Sequence, residues 1–177
     1  MKRTGLLITF EGIDGAGKTT QIKLLAGWIR RRGFKLRVTR EPGGTRVGEQ
    51  IRNILLSSAT RSLTPLAELA LMYAARAQHL DQVIRPALAS GAAVICDRFN
   101  DASFAYQGSG RGLGEQPVRV LDDLICGSTQ PDLTLVLDVP LRLAQSRAKA
   151  RGAAGRHLRF ESSGTAFYRR VRQGYLT

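Results

Sequence analysis

Residues 10–21, FEGIDGAGKTTQ, constrain this chain more than any other stretch. They follow the apolar run at 6–10 (LLITF), which reads as a buried strand. They lead into QIKLLAGWIRRR, where Ile22, Leu25, Ala26 and Ile29 recur at helical spacing. A strand, then Gly12-x-x-x-x-Gly17-Lys18-Thr19, then a helix is the arrangement of a phosphate-binding loop. Gly12, Gly15 and Gly17 let the backbone turn its N–H groups inward into an anion-sized nest. The segment from Gly12 through Ile13, Asp14, Gly15, Ala16, Gly17, Lys18 and Thr19 to Thr20 is therefore expected to hold nucleotide phosphates. The helix N-terminus adds free N–H groups and the positive end of its dipole. Lys18 is placed to reach the β- and γ-phosphates, and the Thr19 hydroxyl to ligate Mg²⁺. The loop leaves the reaction open, because one fold serves many chemistries.

Beyond the loop, strand-like and helix-like segments alternate. Strands are expected at 36–40 (LRVTR), 93–97 (AVICD) and 133–138 (LTLVLD). Helices are expected at 18–32, 46–56, 65–89, 116–126, 140–150 and 163–175. Thr64 before Pro65 is an N-cap followed by a first-turn proline, and Gly33 and Gly91 are helix stops. Near-continuous apolar strands alternating with helices predict an α/β domain: a parallel sheet covered by helices on both faces. At 177 residues one domain spanning 1–177 is expected. Ligands of such sheets bind beyond the carboxyl ends of the strands. That gathers the phosphate loop, Glu41-Pro42-Gly43-Gly44-Thr45, Asp97-Arg98 and the residues after Asp138 around one crevice.

The net charge of +13 is high, but the basic residues are spread along the chain, with Arg30-Arg31-Arg32 closing a helix. Nucleic acid is therefore not the expected partner. No apolar run is long enough for a bilayer, and the chain is read as cytoplasmic. Cys96 and Cys126 lack metal-ligand spacing, and Cys96, inside an apolar run, reads as a buried small hydrophobe. Asp97 is the right kind of group to order Mg²⁺ or its waters, and Arg98 to clamp an anion. Arg76 lies inside the apolar run LALMYAARAQHL, so it must be paired or reach into a cleft.

Five segments, EGIDGAGKTTQ, TREPGGT, YAARAQH, the run from Asp97 to Leu113 and PDLTLVLDV, resemble in order and spacing the bacterial thymidylate kinase family, and the likeness covers essentially the whole chain. The resemblance implies a P-loop kinase with a small lid, acting on ATP and dTMP with Mg²⁺ at Thr19 and Asp97, and a homodimer. It implies that Asp14 meets the sugar 3′-hydroxyl and that Arg52 and Arg98 hold the dTMP phosphate. It puts Arg76 on the thymine ring, Ser103 and Gln107 on the base edge, and Tyr106 against the sugar 2′-position. Met72 stands where the family usually has a phenylalanine stacked on thymine, and Ala102 replaces one of two adjacent serines. Gly15 stands where some relatives carry an arginine, so another cation must serve the transferring phosphoryl group. The basic stretch 146–161 resembles the lid, about 151–160, and Arg151 is the expected catalytic cation beside Lys18, Arg98 and Asp97, with Lys149 and Arg147 as rivals. Family members continue past the position of Thr177 with another strand and helix, which this sequence is expected to lack. A kinase for another small substrate and a nucleotide-binding homologue without turnover remain as alternatives.

Overall fold

In a computed structural model of the chain, the described residues are 4–60, 62–152 and 163–177, the side chains of 149, 151 and 152 excepted. Four strands, β1 (Leu7–Glu11), β2 (Leu36–Arg40), β3 (Ala93–Asp97) and β4 (Leu133–Val136), form one parallel sheet in the order β2-β3-β1-β4. The register pairs Phe10 with Asp97 and Asp97 with Arg40. The carboxyl ends of the three neighbouring strands β2, β3 and β1 thus finish level, and the loops that follow them open on the same rim.

Helices cover both faces. On one face α1 (Lys18–Arg31) lays Ile22, Ala26 and Ile29 against Phe10 and Ile95. On the other, α3 (Pro65–His79) and α6 (Glu115–Ile125) bury Leu69, Tyr73 and Val118 against Leu7, Val94 and Phe99. The helix α2 (Arg46–Leu56) packs on α3 and is capped by Thr45, whose hydroxyl accepts the Gly48 N–H at 3.0 Å. A third cluster joins Ile13 of the phosphate loop to α7 (Leu141–Gly152) and α8 (Gly164–Leu176) through Ala144, Phe167 and Val171.

The expected strands at 36–40 and 93–97 appear with those bounds; β1 is displaced by one residue and β4 stops at Val136. Asp138, expected at the end of that strand, instead pairs with Arg172 of α8. The expected helix 65–89 is helical throughout but contains a π-helical turn at Leu80–Ile84 before α4 (Arg85–Ala89). A helical segment over 100–110 was not expected. It begins as α5 (Asn100–Ser103) and widens into a π-helical stretch, Phe104–Gly110, closed by the Arg111 N–H on the Tyr106 carbonyl at 2.8 Å. Gly108 and Gly110 disguise it in the sequence. Packing decides it, since a Cβ on Gly110 would meet Val171 and Phe167 of α8.

Candidate active site

The phosphate loop runs from the end of β1 to the start of α1, and its glycines are required by close approach. Gly12 has φ of 121° and Gly15 of 89°; a Cβ on either would run into the carbonyl oxygen of Leu137 or Ala144 respectively. Lys18 is buried, and its ammonium donates to the carbonyls of Gly12 (2.9 Å) and Ile13 (3.3 Å). Burial first and Arg98 second pull its pKa down to about 8, against the opposing pull of Asp14 and Asp97.

Two cavities meet beside this lysine. One is lined by Gly15, Gly17, Lys18, Thr19 and Asp97, together with Asp14, Glu41, Arg52 and Arg98. The other, about 100 Å³, shares Asp14, Glu41, Arg52 and Arg98 and continues toward α3 and the π-helical stretch. Its walls are Pro42, Leu56, Met72, Phe99 and Ala102, and its polar lining adds Arg76, Ser103, Tyr106 and Gln107. The first is a charged chamber and the second a mostly apolar slot with polar groups along its edge.

Several of the expected side chains are held by named partners. The Arg98 guanidinium donates to Asp14 Oδ1 at 3.0 Å and lies over the Tyr106 ring, 4.6 Å from its centroid. Arg98 is a non-glycine residue with φ of 71°, the left-handed region. Such strain persists only where the surroundings hold it; here the Arg98 N–H donates to the Phe10 carbonyl and the next N–H, of Phe99, to Glu11 Oε1. Arg52 reaches from α2 and donates to the Pro42 carbonyl at 2.7 Å. Arg76, buried, is paired and also faces the slot. Its Nε donates to Glu41 Oε2 (2.7 Å) and its Nη2 to the Phe99 carbonyl and Ser103 Oγ, while Nη1 is buried with no hydrogen-bond partner. Ser103 thereby supports Arg76, and Gln107, fully buried, donates from Nε2 to Glu68 Oε1 at 2.7 Å.

The crevice draws on three of the four expected segments. Among the described residues, those after Asp138 line neither of these two cavities; α7 backs the phosphate loop at Ala144, and Leu141, Ala144 and Gln145 line a separate hollow against Ile13 and Asp14. Arg151 falls on α7, but its side chain and that of Lys149 lie outside the described residues, as do residues 153–160 of the expected lid.

Sequence reasoning missed the buried acids. Glu41 was read only as part of a strand-ending turn, yet its carboxylate receives Arg76 and His79 Nδ1 (2.9 Å), and His79 Nε2 lies 2.6 Å from Thr39 Oγ1. Glu41, His79 and Cys96 bring potential ligand atoms within 4.8 Å of one another. Both Glu41 oxygens are already engaged, and the Arg76 cation stands against them, so the group serves as a hydrogen-bonded brace. Glu11, at the rim of β1, is fully buried, with Oε1 on the Phe99 N–H (2.7 Å) and Oε2 on the Tyr175 hydroxyl (2.9 Å). Burial pushes its pKa up to about 7, against the pull of Arg98 and the Phe99 N–H. The signal for both acids was available: Glu41 and Glu11 border glycine-rich motifs at strand ends, where a carboxylate is seldom buried without a task.

Comparison with known proteins fits this geometry. A family model described as thymidylate kinase matches residues 10–177. A thymidylate kinase of Pseudomonas savastanoi pv. phaseolicola is 52% identical over 173 residues, covering 98% of this chain and 81% of that protein. One from Geotalea daltonii is 51% identical over 176 residues, covering 97% and 82%. The crystal structure of a thymidylate kinase from Ehrlichia chaffeensis superimposes with a TM-score of 0.78, at 36% identity, over 97% of this chain and 85% of that one. With its phosphate loop, its arginine-lined second cavity and these relatives, the chain belongs to the thymidylate kinase family.

Proposed function

We propose that the chain transfers the γ-phosphoryl group of ATP to dTMP, giving dTDP and ADP. One observation carries the reading: the charged chamber at Lys18 and the slot at Arg76 adjoin across Asp14, Arg52 and Arg98. A nucleoside monophosphate laid in the slot presents its phosphate to the chamber, with Arg52 and Arg98 as its clamps and Asp14 at the sugar. Tyr106 walls the sugar side, and Met72 and Phe99 supply the apolar faces for a flat pyrimidine.

In the transfer, a phosphate oxygen of dTMP forms a bond to the γ-phosphorus as the bond to the β-bridging oxygen breaks. The attacking oxygen is already ionised, so no general base is needed. The loose transition state spreads charge over the moving oxygens, so position and positive charge do most of the catalysis. Lys18 turns from the Gly12 and Ile13 carbonyls to the phosphates. The Thr19 hydroxyl and the Asp97 carboxylate line the same chamber as Lys18 and are hard oxygen donors that suit Mg²⁺, directly or through water. When bound, such an ion would supply positive charge to offset that of the phosphate oxygens. The reading gives Arg151 of α7 the role of lid cation. It also makes the chain a cytoplasmic homodimer; exposed Val47 and Ile54 of α2 and Leu66 of α3 are apolar side chains for a second copy to cover, and sedimentation equilibrium tests this.

The test is ADP release with Mg-ATP and a panel of nucleoside monophosphates. We expect dTMP to be preferred, with dUMP retained at a cost of about 1–3 kcal/mol for the missing methyl. Preference for a purine nucleotide or for dCMP overturns the assignment.

A further inference from the structure

A carboxamide has two ends of nearly equal shape and opposite hydrogen-bonding sense, so a glutamine that reads a base must have its orientation fixed by something else. Gln107 lines the slot, and its Nε2 lies 2.7 Å from Glu68 Oε1. Glu68 is fully buried on α3, four residues before Met72 and eight before Arg76, so the three share one stripe of the helix. Its carboxylate also pairs with Arg111, Nη2 to Oε2 at 3.1 Å. An ionised carboxylate only accepts. The Gln107 NH₂ must therefore face Glu68, and its carbonyl oxygen is turned away from the acid. Arg76 is fixed in the complementary sense: Glu41, Phe99 and Ser103 take Nε and Nη2 and leave Nη1 to donate. The slot then presents one donor and one acceptor in set positions.

We propose that Glu68 is a specificity-determining positioning residue, locking the Gln107 amide so that its oxygen accepts the N3–H of a 4-oxopyrimidine while Arg76 donates to the 4-oxygen. A 4-aminopyrimidine presents the reverse edge. Its N3 is an acceptor and would face the Gln107 oxygen; its amino group is a donor and would face Arg76. Both protein groups would then be buried against like partners. This inference rests on dTMP being the acceptor substrate.

The probe is 5-methyl-dCMP, which keeps the methyl group, sugar and phosphate of dTMP and reverses only the edge. For the unaltered chain, kcat/KM should favour dTMP by at least about 10³-fold, in the range of sites built around a substrate's polar groups. In Glu68→Gln the neighbour can donate as well as accept, so Gln107 is free to reverse. The preference should fall by at least about tenfold, through KM for both substrates, with kcat for dTMP held within about threefold. A folded Glu68→Gln variant whose preference stays within about twofold of the unaltered chain overturns the proposal. The exchange E68Q/Q107E restores one acid and one amide across the contact and leaves an acceptor on the slot side, so selectivity should return. If the single variant does not fold, the exchange carries the test alone: a folded double variant with selectivity down about tenfold or more overturns the proposal. Failure of the unaltered chain to use dTMP at all would instead defeat the functional reading on which the inference stands.

Discussion

Glu11→Gln separates a charge effect from a packing effect at the rim of the sheet. Glu11 is buried, and its pKa rises from an ordinary 4.5 to about 7 in the folded chain. The sign follows from proton counting. Between those two values the folded chain keeps the proton that the unfolded chain has released, so stability falls as pH rises through this window. The contribution is fully present below pH 4.5 and lost once the pH passes about 7. At about 1.4 kcal/mol per pH unit, the loss amounts to about 3 kcal/mol. Glutamine does not titrate. It still offers an oxygen to the Phe99 N–H, and its NH₂ meets the Tyr175 hydroxyl, which can rotate to accept; any cost of that exchange is independent of pH. Urea unfolding followed by far-UV circular dichroism, at pH 4.5 and pH 8.5, measures the difference between variant and unaltered chain at each pH. That difference should move by about 3 kcal/mol in favour of Glu11→Gln on going to pH 8.5, several degrees in Tm for a chain of this size. Groups that do not feel the Glu11 charge titrate alike in both proteins and cancel, and the pull of Glu11 on Lys18 is weaker than that of Asp14 or Asp97. Stability curves that stay parallel within about 1 kcal/mol would refute the reasoning, because they would mean that the buried acid carries the same charge in the folded and unfolded chains.

Two further outcomes follow from the same site. With its pKa held at about 8 by burial and Arg98, much of Lys18 is neutral at pH 8.5 in the free chain, and a triphosphate beside it restores the proton. Calorimetry of ATP binding in two buffers of different ionisation enthalpy should therefore show uptake of roughly half a proton or more, absent in Lys18→Met; no uptake would place the lysine away from the phosphates. At the lid, replacing Arg147, Lys149 and Arg151 one at a time by glutamine should lower kcat by about 10²-fold or more for the catalytic cation alone, with Arg151 the expected one, and losses under about threefold throughout would end the lid assignment.

The parts of this site that were legible in the sequence are the parts whose chemistry is local. The phosphate loop could be read because strand, glycines, lysine and helix are contiguous and each has its own backbone or charge requirement. Asp97 and Arg98 could be read because a strand end in a parallel sheet opens on the ligand rim, and β3 ends where its apolar run predicted. Arg76 could be flagged, since a guanidinium in an apolar helix needs a partner or a cleft, and it has both. Its partner could not be named, because Glu41 is 35 residues away and meets it only once β2 has paired with β3 and α3 has packed on the face of the sheet. The same holds for Glu68 with Gln107, 39 residues apart, and for Glu11 with Tyr175, 164 residues apart. The π-helical stretch was invisible for a related reason: its glycines lower helical propensity, and only contact with α8 makes the segment helical. The groups proposed to touch substrate are marked by residue type, while the buried acids that pair with them are marked only by where the chain returns. A substitution among those acids should accordingly change what the site prefers, or at what pH it is stable, before it changes whether phosphoryl transfer occurs.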